Sequence, residues 1–227
     1  TIHCHQVVLS AASPYFEDIF KDTNDMEIKA DFAKENIIKM IIDYFYSGHI
    51  SINQMNLYDL LAVSQVLSLH DLKFHLESFM ADEVSVSNSV EFYRIARFFS
   101  LSDAETHCLE FLLANFVEAV SCSECFEQLT ESDMMKLFLD DRLKVDYEDF
   151  VYHSLVRWAY SDLDGRKQSF QILAKYVKFP YCTQNCLSNA GREPLMMGAA
   201  CSEFIHEALS FKSSPISSNT VFSPRFL

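Results

Sequence analysis

Residues 3–20 read HCHQVVLSAASPYFEDIF, an apolar run followed by a stripe of aromatic and aliphatic side chains. The run at residues 7–9 (VVL) has the length of a short strand. The side chains after it return at a spacing of about 3.6 residues, which is typical of a helix lying on a core. They are Tyr15, Phe16, Ile19 and Phe20. We therefore predict a strand that leads directly into a helix.

The sequence that follows predicts one more strand and then several helices. Residues 26–30 (MEIKA) alternate apolar and polar side chains, as a half-buried strand does. A helix with a wide apolar face then ends before Gly48, because glycine readily adopts the left-handed conformation at a helix end. Two leucine-rich helices follow: the first begins near Asn53 or Asn56 and extends to Leu69, and the second covers residues 72–80.

From residue 83 onward the pattern is helical, and no segment alternates with the period of a strand. Ser102 and Glu105 have the spacing of a capping box, which predicts a helix that begins at Ser102. Trp158 lies in a stripe of helical spacing and is predicted to be a core residue. The chain is therefore predicted to be mainly α, with a small α+β unit followed by an all-α unit of helical hairpins.

The charge balance and the glycine content exclude several classes of function. With 18 Lys and Arg against 32 Asp and Glu, the net charge is −14. This argues against a nucleic-acid partner, because phosphate binding requires clustered cations. The four glycines have no phosphate-loop spacing. The apolar runs are far shorter than the roughly 18 residues that span a bilayer, so we expect no membrane partner.

The seven cysteines indicate reduced thiols. An odd number in a chain of this length fits a reducing compartment better than a disulfide framework, which predicts the cytoplasm, with the nucleus as the alternative. The pairs Cys122-x-x-Cys125 and Cys182-x-x-x-Cys186 are separated by 56 residues, whereas zinc modules bring two pairs close together. We predict free thiols and no metal site.

No constellation of residues predicts catalysis. His107 and Cys108 are adjacent, and neighbouring residues on a helix point about 100° apart, so they do not readily meet. Carboxylates such as Asp140 and Asp149 lie at predicted helix boundaries, where they can cap backbone N–H groups. We predict no catalytic residue, no cofactor and no enzyme activity.

Residues 5–16, with the pattern H-x-x-V-L-x-x-x-S-x-Y-F, resemble the signature of the BTB (POZ) domain. Residues 41–48 (IIDYFYSG) resemble a helix end in the same family. In the second half, residues 137–158 (LFLDDRLKVDYEDFVYHSLVRW) and 177–181 (VKFPY) resemble the BACK domain, which follows BTB domains in kelch-like adaptors.

The resemblance implies three regions. They are a BTB domain over residues 1–82, a BACK domain over residues 83–212, and a Ser- and Pro-rich linker over residues 213–227. A kelch propeller is expected after the linker, and the chain shows no repeat of blade length. The chain begins with Thr1, and the family's first helix and strand precede its starting point, so we expect an N-terminally truncated fragment.

BTB–BACK–kelch proteins are typically substrate adaptors of cullin-3 RING ubiquitin ligases, which implies that role and a cullin-3 partner here. The whole protein is expected to form a homodimer and to bind its protein substrate through the kelch propeller. The resemblance also implies a set of cullin-facing residues. They are Tyr15, Ile19, Phe20, Leu67, Leu69, His70, Phe92, Ile95, Phe98 and Phe99.

Two questions stay open at this point. Phe98 lies off the stripe of its helix, so either a partner buries its ring or the helix is buried on two sides. The family's apolar-x-Glu motif after the opening helix is not matched, because the segment at residues 21–25 is short and Met26 and Glu27 are adjacent. The alternative function is a BTB dimerisation scaffold for transcriptional repression or cytoskeletal assembly, without cullin binding.

Overall fold

The computed structural model describes residues 1–22 and 27–213. Within these residues it contains thirteen α-helices, three short 3-10 helices and no strand. The α-helices are α1 (Gln6–Ala12), α2 (Pro14–Asp22), α3 (Glu35–Ser47), α4 (Gln54–Val66), α5 (His70–Glu83), α6 (Ser89–Phe98), α7 (Ser102–Ala114), α8 (Phe116–Cys122), α9 (Glu131–Leu139), α10 (Glu148–Tyr160), α11 (Leu163–Ala174), α12 (Gln184–Ala190) and α13 (Ala199–Ser213). The 3-10 helices are Phe126–Gln128, Phe179–Tyr181 and Pro194–Met196. The predicted mainly α class is confirmed.

The chain divides into two units. The first consists of residues 1–84 and 95–107, and the second of residues 85–94 and 108–227, described as far as residue 213. Helices α6 and α7 each contribute residues to both units. The predicted boundary between residues 82 and 83 stays a prediction, and the predicted linker lies outside the described residues except for Ser213. In the described part of the chain, no helix is long and apolar enough to cross a membrane.

The predicted strand at residues 7–9 is wrong, because these residues form the middle of α1. Leu9 faces the core, whereas Val7 is 80% exposed. An apolar run of three residues has no period of its own, so it fits a helix as well as a strand. His5, just before this helix, is exposed, and its ring Nδ1 lies 2.8 Å from the hydroxyl of Tyr46.

The second predicted strand is also wrong where it can be tested. Met26 lies outside the described residues, and residues 27–30 have no regular secondary structure. A single strand leaves its N–H and C=O groups without partners, so it forms only beside another strand. Since the described residues contain no other strand, the alternation of side chains at this segment does not produce one.

Helix α3 ends as predicted. Gly48 adopts a φ of 71°, and its amide donates to the Tyr44 carbonyl at 2.8 Å. Ile37 and Ile41 are buried on the core face of this helix. The left-handed residue lets the chain leave the helix while it still satisfies a terminal carbonyl.

Ser13 separates α1 from α2 and ties both helices to α4. Its backbone is extended, with φ −146° and ψ 123°, as the residue before a proline prefers. Pro14 then begins α2, a position where its missing N–H is not needed. The Ser13 side chain is buried, and its hydroxyl donates to the Leu67 carbonyl at 2.7 Å. This bond joins the opening helices to the end of α4.

Two helical turns use a serine in the left-handed conformation. Ser68 lies between α4 and α5 with a φ of 56°, and Ser100 lies between α6 and α7 with a φ of 53°. The amide of Leu69 donates to the Ser64 carbonyl at 2.8 Å, and the amide of Leu101 donates to the carbonyl five residues back at 2.8 Å. Both leucines are buried. The same helix-ending motif therefore occurs twice.

The core of the second unit is rich in aromatic side chains. Phe116 packs edge to face against Phe126 and Phe138, with ring centroids 6.5 and 6.4 Å apart. Trp158 is buried, as its helical stripe predicts, and its indole N–H donates to the Leu129 carbonyl at 2.7 Å. A buried indole is stable only when its N–H has such an acceptor, so this bond fixes α10 on the core.

Replacing Ser100 with glycine should stabilise the chain, because glycine adopts a φ of 53° without the steric cost that a Cβ carries there. We expect the free energy of unfolding to rise by about 0.5–1 kcal/mol. The measurement is the urea midpoint, which should increase while the slope of the transition is unchanged.

Ser78→Gly is the matched control, since Ser78 lies inside α5. Glycine inside a helix should lower the free energy of unfolding by about 0.5–1 kcal/mol. A decrease of the same size for Ser100→Gly would contradict the inferred strain at the α6–α7 turn.

Candidate functional site

The first unit presents a group of aromatic rings at the end of α6. Phe98, the last residue of α6, is 70% exposed, and Tyr58 on α4 is 48% exposed. The Phe98 ring packs edge to face on Phe99, with centroids 4.9 Å apart, and lies 6.0 Å from the Tyr58 ring. Phe99 is buried, and its centroid lies 5.2 Å from that of Tyr58. We call Tyr58, Phe98 and Phe99 the Phe98 surface.

Helix α5 holds the turn beside the Phe98 surface at two points. The Lys73 ammonium donates to the Phe99 carbonyl at 3.2 Å, where α6 ends. The Glu77 carboxylate accepts the backbone N–H groups of Asp103 and Ala104 at 3.0 and 3.1 Å, where α7 begins. A cation at a helix C-terminus and a carboxylate at an N-terminus are both favourable to the helix dipole. The turn is therefore clamped from one side by a single helix.

An ion pair crosses the same turn. Arg97 near the end of α6 lies 3.8 Å from Glu105 in the first turn of α7. With the two contacts from α5, this pair fixes the backbone on both sides of Ser100. An exposed aromatic ring on a fixed backbone loses little conformational freedom when a partner covers it. The arrangement therefore suits binding by burial of Phe98.

The ten residues predicted to face a cullin differ in exposure. His70 and Phe98 are exposed, and Tyr15, Ile19 and Phe20 are half-buried on α2. The remaining five are buried: Leu67, Leu69, Phe92, Ile95 and Phe99. A buried side chain offers no surface to a partner while the chain keeps this fold. These five side chains are therefore core residues, and Phe99 is the one among them whose ring packs against the exposed ring of Phe98.

The structure brings only some of these residues together. Phe92 belongs to the second unit, whereas the other nine belong to the first. Phe98 and Phe99 are in contact, while the rings of Tyr15 and Phe20 pack against Phe32 and Phe16 respectively. The unmatched motif after Phe20 lies mostly outside the described residues, so the effect of the short segment stays a prediction.

Three residues of the site were missed in the sequence. Tyr58 lies beside the buried stripe of α4, so its off-stripe position is the same signal that pointed to Phe98. Lys73 and Glu77 act on residues 26 and 27 positions further along the chain. No local pattern predicts such long-range hydrogen bonds.

The first unit also contains a groove of about 820 Å³ that is lined by both polar and apolar side chains. Side chains from α1, α2, α3 and the segment before α3 line it, among them Leu9, Phe16, Phe20, Ile28, Ile38 and Ile42. Phe20 is thus the predicted site residue that lies at this groove. The groove is a second surface on which apolar side chains can be covered.

The nucleophile pair considered in the sequence does not form a reactive site. Cys108 is fully buried and His107 is exposed. Burial raises the pKa of the Cys108 thiol to about 12. Because the thiolate is the nucleophile, a thiol with this pKa is unreactive near neutral pH.

A fixed turn that exposes aromatic rings is the kind of surface at which proteins bind other proteins. Two family models match the chain: the BTB/POZ domain over residues 1–84 and BACK, the "BTB And C-terminal Kelch" domain, over residues 89–192. The chain therefore belongs to the BTB–BACK family of kelch-like proteins.

Similar curated proteins are kelch-like proteins of vertebrates. Kelch-like protein 21 of Danio rerio is 28% identical over 218 residues, which cover 93% of this chain and 35% of the relative. Kelch-like protein 25 of Mus musculus is 27% identical over 230 residues, covering 98% of this chain and 39% of the relative. Kelch-like protein 28 of Homo sapiens is 25% identical over 233 residues, covering 99% of this chain and 41% of the relative. The chain thus spans 35–41% of the length of these relatives.

Glu77→Ala should loosen the start of α7, because it removes the acceptor for two backbone N–H groups. We expect a loss of about 1 kcal/mol in the free energy of unfolding, the usual cost of removing a helix cap. Amide hydrogen exchange should show faster exchange at Asp103 and Ala104.

Glu77→Gln is the matched control, since its amide oxygen keeps an acceptor of the same size. The control should lose less stability than Glu77→Ala and keep most of the amide protection. Equal exchange rates at Asp103 and Ala104 in the native chain and in Glu77→Ala would show that Glu77 does not cap α7.

Proposed function

We propose that the chain is the cullin-binding part of a substrate adaptor of a cullin-3 RING ubiquitin ligase. The observation that carries this proposal is the Phe98 surface, an exposed aromatic surface on a clamped turn of a BTB–BACK chain. The family membership supplies the class of partner, and the surface supplies a place where that partner can bind. The adaptor itself makes and breaks no bonds.

The chemistry of the Phe98 surface favours a protein partner. Protein interfaces are enriched in aromatic residues at their centres, and a few such residues carry most of the binding free energy. Phe98 is backed by Phe99 on one side and by Tyr58 on another. Covering its ring removes apolar surface from water without the ordering cost that a mobile loop would add.

Within this proposal, the predicted cullin-facing residues have two roles. The exposed His70 and Phe98 would contact the cullin directly, together with the half-buried Tyr15, Ile19 and Phe20 of α2. The buried members of the set would keep the helices in place. Phe98 is the residue with the largest exposed apolar side chain among the ten. It should therefore account for more of the affinity than any other.

The proposed contribution to ubiquitination is effective concentration. An adaptor that holds a substrate near the ubiquitin-loaded enzyme makes the encounter intramolecular, which raises its rate without a catalytic residue. The kelch propeller of the whole protein would bind the substrate, in the cytoplasm or the nucleus. A role in binding without catalysis is consistent with the burial and raised pKa of the Cys108 thiol. It is also consistent with an interaction surface made of apolar side chains.

We propose in addition that the whole protein is a homodimer. The groove of the first unit supports this, because Ile38 and Ile42 are only half-buried there and leave apolar surface that a second chain can cover. Sedimentation equilibrium of the whole protein is the measurement. A monomer at micromolar concentration would contradict the homodimer, without affecting the proposed role of Phe98.

Phe98→Asp should weaken binding of a cullin-3 N-terminal domain, because it replaces an apolar contact with a charge that must be desolvated. We expect a loss of about 2 kcal/mol or more, roughly thirtyfold in Kd, as for a central interface residue. Calorimetric titration measures the Kd. Circular dichroism should be unchanged, since the Phe98 side chain is 70% exposed.

Val7→Asp is the matched control, because Val7 is an exposed apolar residue of the same unit that is not among the predicted contacts. Its Kd should equal that of the native chain. A folded chain that does not bind the cullin would contradict the adaptor proposal and favour the dimerisation scaffold. Binding that is equally tight in Phe98→Asp would remove Phe98 from the site.

A further inference from the structure

Two buried thiols and a carboxylate meet in the second unit. Cys182 follows the 3-10 helix Phe179–Tyr181, Cys186 lies in the first turn of α12, and Asp149 lies in the first turn of α10. Their ligand atoms, two Sγ atoms and a carboxylate oxygen, all lie within 4.8 Å of one another. Both thiols are buried, and Asp149 is half-buried. The two thiols are therefore shielded from solvent, and the cluster is accessible from the side of Asp149.

Thr183 holds the three residues in place. Its backbone N–H donates to Asp149 Oδ1 at 2.7 Å, and its hydroxyl donates to Asp149 Oδ2 at 2.5 Å. The same hydroxyl accepts the backbone N–H of Cys186 at 3.2 Å, which caps α12. Each carboxylate oxygen has a further lone pair beyond the one it uses here. Asp149 is thus oriented toward the thiols while it can still bind another group.

The surroundings of the thiols are negatively charged. The carboxylate of Asp149 lies beside the two sulfur atoms, and the charge of Glu148, the preceding residue, also acts on Cys182. Glu148 is itself buried, and it accepts the backbone N–H of Lys178 at 3.2 Å. Two carboxylates beside a thiol pair disfavour thiolates when no cation is present. A bound cation reverses this, because it is attracted by the same carboxylates.

We propose that Cys182, Cys186 and Asp149 form a binding site for a zinc-class divalent metal ion, with a fourth position open to water. Thiolate sulfur and carboxylate oxygen are ligands that Zn²⁺ prefers, at about 2.3 and 2.0–2.2 Å from the metal. Such bond lengths require the three ligand atoms to lie close together, and here they all lie within 4.8 Å of one another. Binding releases one proton from each thiol as its sulfur bonds to the metal.

The site would join two helices of the second unit. Asp149 comes from α10, whereas Cys182 lies just before α12 and Cys186 lies in the first turn of α12. A metal ion that bridges them would act as a cross-link in the fold. The competing interpretation is that the thiols are small apolar core residues, which is the usual role of buried cysteine.

Titration of the reduced 227-residue chain with Zn²⁺ against a chromophoric chelator tests the proposal. We expect one ion per chain and, in calorimetry with buffers of different ionisation enthalpy, close to two protons released per ion. Titration with Co²⁺ should give a thiolate-to-cobalt absorption band. Cys182→Ser, Cys186→Ser and Asp149→Asn should each lower the affinity by about 100-fold or more.

Matched controls separate this site from other thiols and carboxylates. Cys201→Ser changes another buried cysteine, and Asp146→Asn changes an exposed aspartate three positions before Asp149 that is not a proposed ligand. The double variant Cys122→Ser/Cys125→Ser replaces the other two cysteines that lie close to each other in the sequence. All three should bind Zn²⁺ as the native chain does.

Three results would overturn the proposal. They are absence of binding by the folded native chain, a Co²⁺ complex without the thiolate band, and loss of binding in Cys122→Ser/Cys125→Ser with retention in Cys186→Ser. The first two are measured on the native chain, so they decide the question even when a variant does not fold. Circular dichroism shows which variants remain folded, and only the folded variants are used to judge the third result.

Discussion

The two hydrogen bonds accepted by Glu77 are the constraint on which the candidate site depends most. The first N–H groups of a helix have no partner within that helix, so the start of α7 needs an acceptor from elsewhere. Glu77 supplies it from α5, and Lys73, one turn earlier on the same face, binds the end of α6. One face of α5 thus satisfies the end of one helix and the beginning of the next. The turn between them cannot shift without breaking both.

This clamp explains why Phe98 stays exposed. Phe98 and Phe99 are neighbours on a helix, so their side chains point about 100° apart and only one of them can face the core. Phe99 takes that position, where its carbonyl is held by Lys73. Ser100 then turns the chain in a left-handed conformation, and the Phe98 side chain stays exposed at the end of α6. Its exposure is a consequence of the packing of its neighbours.

The sequence predicts those features that have a period and misses those that depend on distant partners. The helical stripes that bury Trp158 and the left-handed end of α3 at Gly48 are both present in the structure. The three-residue run ending at Leu9 has no period, so its length alone predicts a strand, whereas these residues are helical in the structure. A capping box predicted the start of α7 at Ser102, and the start is correct, but Glu77 provides an acceptor that no local spacing could indicate.

The cysteines likewise show that the sequence alone does not predict the chemical surroundings of a side chain. Cys108 and Cys182 are both fully buried. The sequence pairs Cys182 with Cys186, but it does not show which charged groups lie beside either thiol. For Cys108, burial alone raises the pKa, which is the behaviour of a small apolar residue in a core. For Cys182, a second thiol and the carboxylates of Asp149 and Glu148 act as well, and Asp149 comes from a helix more than thirty positions earlier in the chain. What separates a core thiol from a candidate metal ligand is therefore the charge that the fold brings beside it, and this charge becomes visible only in three dimensions.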